Sequence, residues 1–206
     1  MYARSTTVRG DPQKLDEGIR YVHDKVMPAV LQMDGCVGLS MLVDRDTGRT
    51  ITTSAWADAE AMQNSSDGVR SIRMKAAEIL GGTPEVQEWE IALLHRAHET
   101  SDGACCRVTW MRGDPARMDS VVDTFRMGII PQVDEIPGFC SLSMMLDRET
   151  GRTALASSYD SRESMEAARG TVQQMREQFT REMGMEVTDM AEFDLVLAHL
   201  RVPETV

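Results

Sequence analysis

Leu39, Ser40 and Met41, followed by Asp44, Arg45, Asp46, Thr47, Gly48, Arg49 and Thr50, form the stretch that decides the fold. The string returns as Leu142, Ser143 and Met144, then Asp147, Arg148, Glu149, Thr150, Gly151, Arg152 and Thr153, displaced by 103 residues. Both read as an apolar strand, an acidic turn, a glycine and the next strand. Asp at the start of the turn and Gly where a left-handed residue is needed are hairpin chemistry. A hairpin repeated at this spacing means a duplicated unit. A calcium loop is the sharper reading of the acids, but the D-x-D-x-D-G spacing is absent.

Upstream of the hairpin, Tyr2 to Val8 matches Cys105 to Met111, the first strand of each copy. Arg9, Gly10, Asp11 and Pro12 return as Arg112, Gly113, Asp114 and Pro115. The glycine ends the strand, the Asp accepts the free amides of a helix start, and proline at the first helical position loses no hydrogen bond. A phosphate loop has little behind it, with one glycine per copy and no Lys-Ser/Thr pair. Leu15, Ile19, Val22 and Val26, like Met118, Val122, Phe125 and Ile129, keep helical spacing and lay one apolar stripe on a sheet. Pro28 and Pro131 are expected to end these helices, and Gly35 or Gly138 opens the second strand.

Downstream, the third strand runs from Thr50 to Trp56, or from Thr153 to Tyr159. Asp58, Glu60 and Met62, like Ser161, Glu163 and Met165, start a second helix. In the first copy Asn64, Ser65, Ser66, Asp67 and Gly68 interrupt it before Val69, Ile72 and Ala76 resume, which predicts a kink, or a loop suited to a lid. In the second copy Met165, Ala168, Val172, Met175 and Phe179 predict a continuous helix, with Gly170 as a weak point. Each copy closes with a strand, Glu88 to His95 or Glu192 to His199, and Arg96 to Gly103 is a polar linker. Strand, helix, strand, strand, helix, strand is the ferredoxin-like order. The expectation is an α+β protein of tandem ferredoxin-like (βαββαβ) repeats, residues 1–97 and 104–206, whose bare sheet faces pack together as an intramolecular dimeric α+β barrel.

The 206 residues carry a net charge of -11, which argues against nucleic acid and against an anionic membrane surface as partners. No apolar run is long enough to span a bilayer and Met1 to Ser5 lacks a signal-peptide core, so the protein is expected in the cytoplasm. Cys36, Cys105, Cys106 and Cys140 form no C-x-x-C pair and are expected to be free buried thiols, with no metal site. Sixteen methionines make the interior adaptable to an irregular apolar ligand, although gap filling accounts for them.

Ser54, Ala55, Trp56, Ala57, Asp58, Ala59, Glu60, Ala61 and Met62 resemble the strand-to-helix passage of the antibiotic biosynthesis monooxygenase family, small dimeric α+β barrel proteins. The resemblance covers both copies. It implies a pocket in each copy, between sheet and helices or at the barrel mouth, and in some members oxygenation of an electron-rich aromatic without metal or flavin. Members that degrade haem use an Asn on the first strand and a Trp and His on the second helix. This chain has Arg4 and Arg107 on those strands and neither ring on those helices, so haem degradation is not expected.

Three pairs of residues are candidates for chemistry. His95 and His199 close the fourth strands on the face of Trp89, Ile91 and Leu93, or Phe193, Leu195 and Leu197, as general bases or as structural hydrogen-bonding residues. Arg4 and Arg107 are expected to face the space between the two sheets, where they would draw a carboxylate, phenolate or enolate, or pair with acids such as Glu90 and Asp194. Trp56 and Tyr159 match at the ends of the third strands, as pocket walls or as core. His23 and His98 are expected to be solvated. The resulting expectation is a cofactor-free monooxygenase of an aromatic or quinone-like small molecule, or else a non-catalytic protein that binds a small apolar ligand. A homodimer of such chains is compatible with either.

Overall fold

The two hairpins form as their turn residues dictate. In the computed structural model, which describes residues 1–100 and 102–200, the Asp44 carboxylate accepts the amides of Asp46 and Thr47 at 3.0 and 3.3 Å, and Asp147 those of Glu149 and Thr150 at 3.1 and 3.2 Å. Gly48 and Gly151 adopt φ of 74° and 69°. A Cβ there would lie 2.4 Å from the Gly10 carbonyl oxygen or 2.1 Å from that of Gly113, so each turn also needs glycine to seat against the strand-to-helix junction.

The first copy comprises β1 (Tyr2–Arg9), α1 (Leu15–Tyr21), α2 (Met27–Leu31), β2 (Cys36–Val43), β3 (Arg49–Trp56), α3 (Ala59–Asn64), α4 (Ser66–Leu80) and β4 (Pro84–Arg96). The second comprises β5 (Cys105–Arg112), α5 (Met118–Thr124), α6 (Ile130–Val133), β6 (Phe139–Asp147), β7 (Arg152–Tyr159), α7 (Arg162–Ala167), α8 (Arg169–Met183) and β8 (Glu186–Leu200). The hydrogen-bonded strand order, β1-β3-β2-β8-β5-β7-β6-β4, closes on itself, so the fold is the α+β barrel of ferredoxin-like repeats. Asp11 and Asp114 cap their helices as read, accepting the amides of Gln13 and Ala116 at 2.9 and 3.0 Å, with proline next in each case.

The closing strands are longer than the sequence pattern suggested. β8 lies antiparallel to β2 through Leu39↔His199, and β4 lies antiparallel to β6 through His95↔Leu142. The described chain accordingly divides into two compact units, Met1–Trp89 with the end of β8 from Phe193, and Glu90–Glu192. The unit boundaries fall inside β4 and β8, not in the linker after Arg96. In the first unit, Leu15, Val22, Val30, Leu39, Met41, Trp56 and Leu80 form the core between sheet and helices. In the second, Met118, Phe125, Leu142, Met144, Tyr159, Phe179 and Met183 do so.

Two helix expectations change. Pro28 and Pro131 do not end their helices, which continue to Leu31 and Val133. Proline cannot donate to the carbonyl four residues back and its ring crowds that carbonyl; a π-helical turn just upstream, Val22–Val26 or Phe125–Ile129, widens the helix and absorbs the misfit. The second helix breaks in both copies, not in the first alone. Ser65 (φ -71°, ψ -15°) and Ala168 (φ -74°, ψ -12°) keep helical dihedrals, and the amides of Val69 and Val172 still reach their carbonyls at 3.0 and 2.9 Å. Each junction is a kink within a continuous hydrogen-bonded path, not a loop.

Candidate functional site

The strands of the first copy build a cavity under the helices by simple alternation. Arg4, Thr6 and Val8 are successive same-face residues of β1, and β3 sets Thr52 and Ser54 opposite Thr6 and Arg4. Leu39 of β2 completes the sheet side. Val22 and Val26 of the π-helical turn, Val30 of α2, and Val69, Ile72, Arg73, Ala76, Ala77 and Leu80 of α4 form the rest of the lining. The enclosed space is about 60 Å³, within about 570 Å³ of empty volume once its open mouth is counted. Among the described residues the lining holds two guanidinium groups and three hydroxyls among apolar side chains, and no His, Cys, Tyr, Asp or Glu.

Arg4 faces the helices, not the space between sheets, because its β1 neighbours on that face are the cavity residues Thr6 and Val8. It is 3 % exposed and fully engaged. Its Nε donates to Glu88 Oε1 at 2.9 Å, one terminal nitrogen to Ser65 Oγ at 2.8 Å, and the other to the Met62 carbonyl at 2.6 Å and Ser66 Oγ at 2.7 Å. Arg4 therefore pins the α3–α4 kink, and the stretch expected as a lid is tied to the sheet. Arg107 likewise faces its helices, giving Nε and a terminal nitrogen to Glu192 Oε1 at 3.0 and 2.8 Å and reaching the Met165 carbonyl at 3.3 Å. The acids suggested for these arginines are engaged elsewhere: Glu90 accepts from Arg148 at 2.6 Å, and Asp194 lies 3.7 Å from Arg45.

Trp56 and Tyr159 are core, at 0 % and 1 % exposure, and Trp56 is not among the cavity-lining residues. Trp56 Nε1 donates to Ser54 Oγ at 3.0 Å, which orients that hydroxyl in the cavity wall. Tyr159 packs edge-on against Phe139 with centroids 6.1 Å apart, and burial pushes its phenol up from the ordinary value. Of the nine residues Ser54 to Met62, Ser54 lines the cavity, Asp58 caps α3 by accepting the Ala61 amide at 2.8 Å, and the Met62 carbonyl holds Arg4.

The two histidines are not equivalent, and neither lines the cavity. A bulge between Ile91 and Leu93 breaks the alternation of β4, so Leu93 joins the helix-side core of the second unit while Trp89 Nε1 donates to Ser5 Oγ at 2.9 Å. His95 Nε2 meets Asp134 Oδ1 at 2.6 Å, its ring stacks on Phe139 at 6.4 Å, and its buried Nδ1 has no partner among the described residues. The position matching Asp134 in the first copy is Leu31, so the first copy carries no acid at that position. His23 and His98 are exposed, as read. No disulfide joins the four cysteines, and burial pushes the Cys106 thiol up to about 12, far from a nucleophile's range.

Arg73 was missed by the sequence reading. Its signal was a charge inside the apolar stripe of α4, between Ile72 and Ala76, repeated as Arg176. The second copy lines the same space differently. Val22, Ala76, Thr52, Val8 and Leu80 become Phe125, Phe179, Leu155, Met111 and Met183. The Phe125 and Phe179 rings meet edge to face, 5.2 Å between centroids, inside that copy's core.

No family model matches the sequence. Among solved structures, the chain is similar to a monooxygenase candidate from Lactobacillus acidophilus (TM-score 0.71, 12% identity, 97% of this chain and 96% of the other). It is also similar to an anthrone oxidase-like protein (0.69, 12%, 99% and 94%) and to a ferredoxin-fold protein from Listeria monocytogenes related to antibiotic biosynthesis monooxygenases (0.56, 7%, 95% and 94%). These likenesses show the fold. In sequence it is 46% identical to the uncharacterized Mycobacterium tuberculosis proteins Rv2557 and Rv2558, over 100% of this chain and 92% and 88% of theirs. The chain therefore belongs to the family of Rv2557 and Rv2558, carried on the α+β barrel of the antibiotic biosynthesis monooxygenase-like proteins.

Proposed function

We propose that the protein binds a small, largely apolar molecule and that its working pocket is the helix-side cavity of the first copy. The cavity itself carries this reading: apolar walls from β1, β2, the π-helical turn and α4 converge on a few polar groups, the pattern of a small-molecule site. Its enclosed volume of about 60 Å³ suits a compact or flat ligand whose remainder leaves by the mouth. Calorimetric titration with small aromatic and aliphatic compounds tests it. One binding event per chain, lost in Ala76→Phe, is expected; affinity unchanged by Ala76→Phe would move the site elsewhere.

A second reading, cofactor-independent oxygenation of an aromatic or quinone-like molecule, is favoured by two guanidinium groups against an apolar wall, where a phenolate or enolate is stabilised. Among the described residues the lining offers no proton acceptor such as His or a carboxylate, so in this reading the substrate ionises without one and neither His95 nor His199 is called on. Oxygen uptake with hydroxylated polycyclic aromatics, absent from Ala76→Phe, is the outcome it requires. Binding without uptake leaves the protein as a binding protein.

A further inference from the structure

We infer that the ligand of the first-copy cavity carries a single anionic group, a carboxylate in the simplest case, and that Arg73 is the residue that receives it. The inference rests on the cavity being the working pocket and adds the charge and anchor of its ligand.

Both lining arginines could hold an anion by type, but their surroundings separate them. Arg4 already meets Glu88, two hydroxyls and a carbonyl, so accepting a ligand would mean breaking bonds that hold the α3–α4 kink. Arg73 has no such set. Its Nε is buried and without a hydrogen-bond partner among the described residues. A buried donor left unmade is costly, and an incoming carboxylate oxygen would satisfy it. The local charge points the same way. Burial lowers the pKa of Arg73, the positive charges of Arg4 and Arg70 add to that, and Glu88 alone among the named neighbours opposes it. An anion beside Arg73 would relieve that repulsion. The apolar side chains at Val69, Ile72 and Ala76, within about a turn of Arg73 on the same helix, would take the hydrocarbon body of the ligand.

Arg176, at the matching position of the second copy, shows what the residue does where the space is filled: its guanidinium turns to Met190 Sδ at 3.0 Å. It supplies the internal control.

The test is a matched pair of probes, 2-naphthoate and neutral 2-naphthol, titrated at pH 7 into the full chain and its Arg73→Met, Arg73→Lys and Arg176→Met variants. The expected result is naphthoate bound at least about tenfold tighter than naphthol by the wild type. Arg73→Met should erase that preference without weakening naphthol, Arg73→Lys should keep some of it, and Arg176→Met should leave both affinities unchanged. Equal affinity for the two probes in the wild type overturns the inference while leaving the pocket standing. A preference that survives Arg73→Met overturns it in favour of another cation. Binding of neither probe removes the pocket and the inference with it.

Discussion

The two copies run the same fold through the same turns, caps and π-helical segments, yet treat one space oppositely. Where the first copy sets Val22 and Ala76 between sheet and helices, the second sets Phe125 and Phe179, whose rings meet edge to face at 5.2 Å. The first leaves a cavity there; in the second the two larger rings pack within the core. The arginines on the first strands follow suit. Both pair with an acid of the closing strand, Arg4 with Glu88 and Arg107 with Glu192, but Arg4 also holds the kink through Ser65 and Ser66, whereas in the second copy Arg169, at the position matching Ser66, adds to Glu192 at 3.0 Å. A duplicated domain therefore need not keep two equal interiors: larger side chains at matching positions add to the core where smaller ones leave a space.

The contrast is most vulnerable at its aromatic plug. Phe179→Ala should cost about 3–5 kcal/mol in chemical denaturation, the usual loss for a buried phenyl ring. A cost below about 1 kcal/mol would mean that the second copy is not packed as described.

Next in size is the buried guanidinium. Arg4→Met should destabilise by about 2–4 kcal/mol, because it removes a buried cation that several groups share. Hydrogen exchange should also quicken at the amides of Ser65 to Val69, where the kink loses its tether. Equal quickening in Arg107→Met at Ala168 to Val172 would erase the distinction between a hydroxyl-held and an acid-held kink.

Ala76→Phe imports half of the plug into the first copy. Ligand affinity should fall at least tenfold, about 1.4 kcal/mol, with a change in stability no larger than about 1–3 kcal/mol from overpacking. Retained affinity would show that the cavity is not where ligand goes.

The smallest effect belongs to the hairpin turn of the second copy, where Arg152 braces Asp147 at 2.8 Å. Burial pushes the Asp147 carboxyl up, but hydrogen bonds from Thr150 and Arg152 and the Arg152 charge outweigh it, and the net shift is downward. A carboxyl more acidic in the folded than in the unfolded chain stabilises when ionised: its contribution is complete above the ordinary carboxylate range and disappears as pH falls through the folded value. Asp147→Asn should therefore cost about 1 kcal/mol near neutral pH and converge with the wild type in acid, as followed by thermal melts across pH.

The hairpins, the Asp-Pro helix starts and the βαββαβ order were legible in the chain because each depends on contacts within a few residues, which sequence spacing reports directly. The inequality of the copies at Val22 and Phe125 was not read there, because nothing local says that Phe125 and Phe179, 54 positions apart, share one space. The direction and the partners of the functional-looking side chains came from the packed fold instead. Alternation placed Arg4 opposite its strand neighbours, but the α3–α4 kink folding over that face is what gave it Ser65, Ser66 and the Met62 carbonyl. His95 and His199 match in sequence, but the fold brings Asp134 to His95, and the first copy has Leu31 where the second has that acid. Arg73 looked like an ordinary charge on a helix until the strands beneath it were seen to leave a cavity. Periodicity is a property of neighbours along the chain, whereas the fate of a buried cation or an unfilled space depends on residues brought together from many positions away, and no local pattern encodes that meeting.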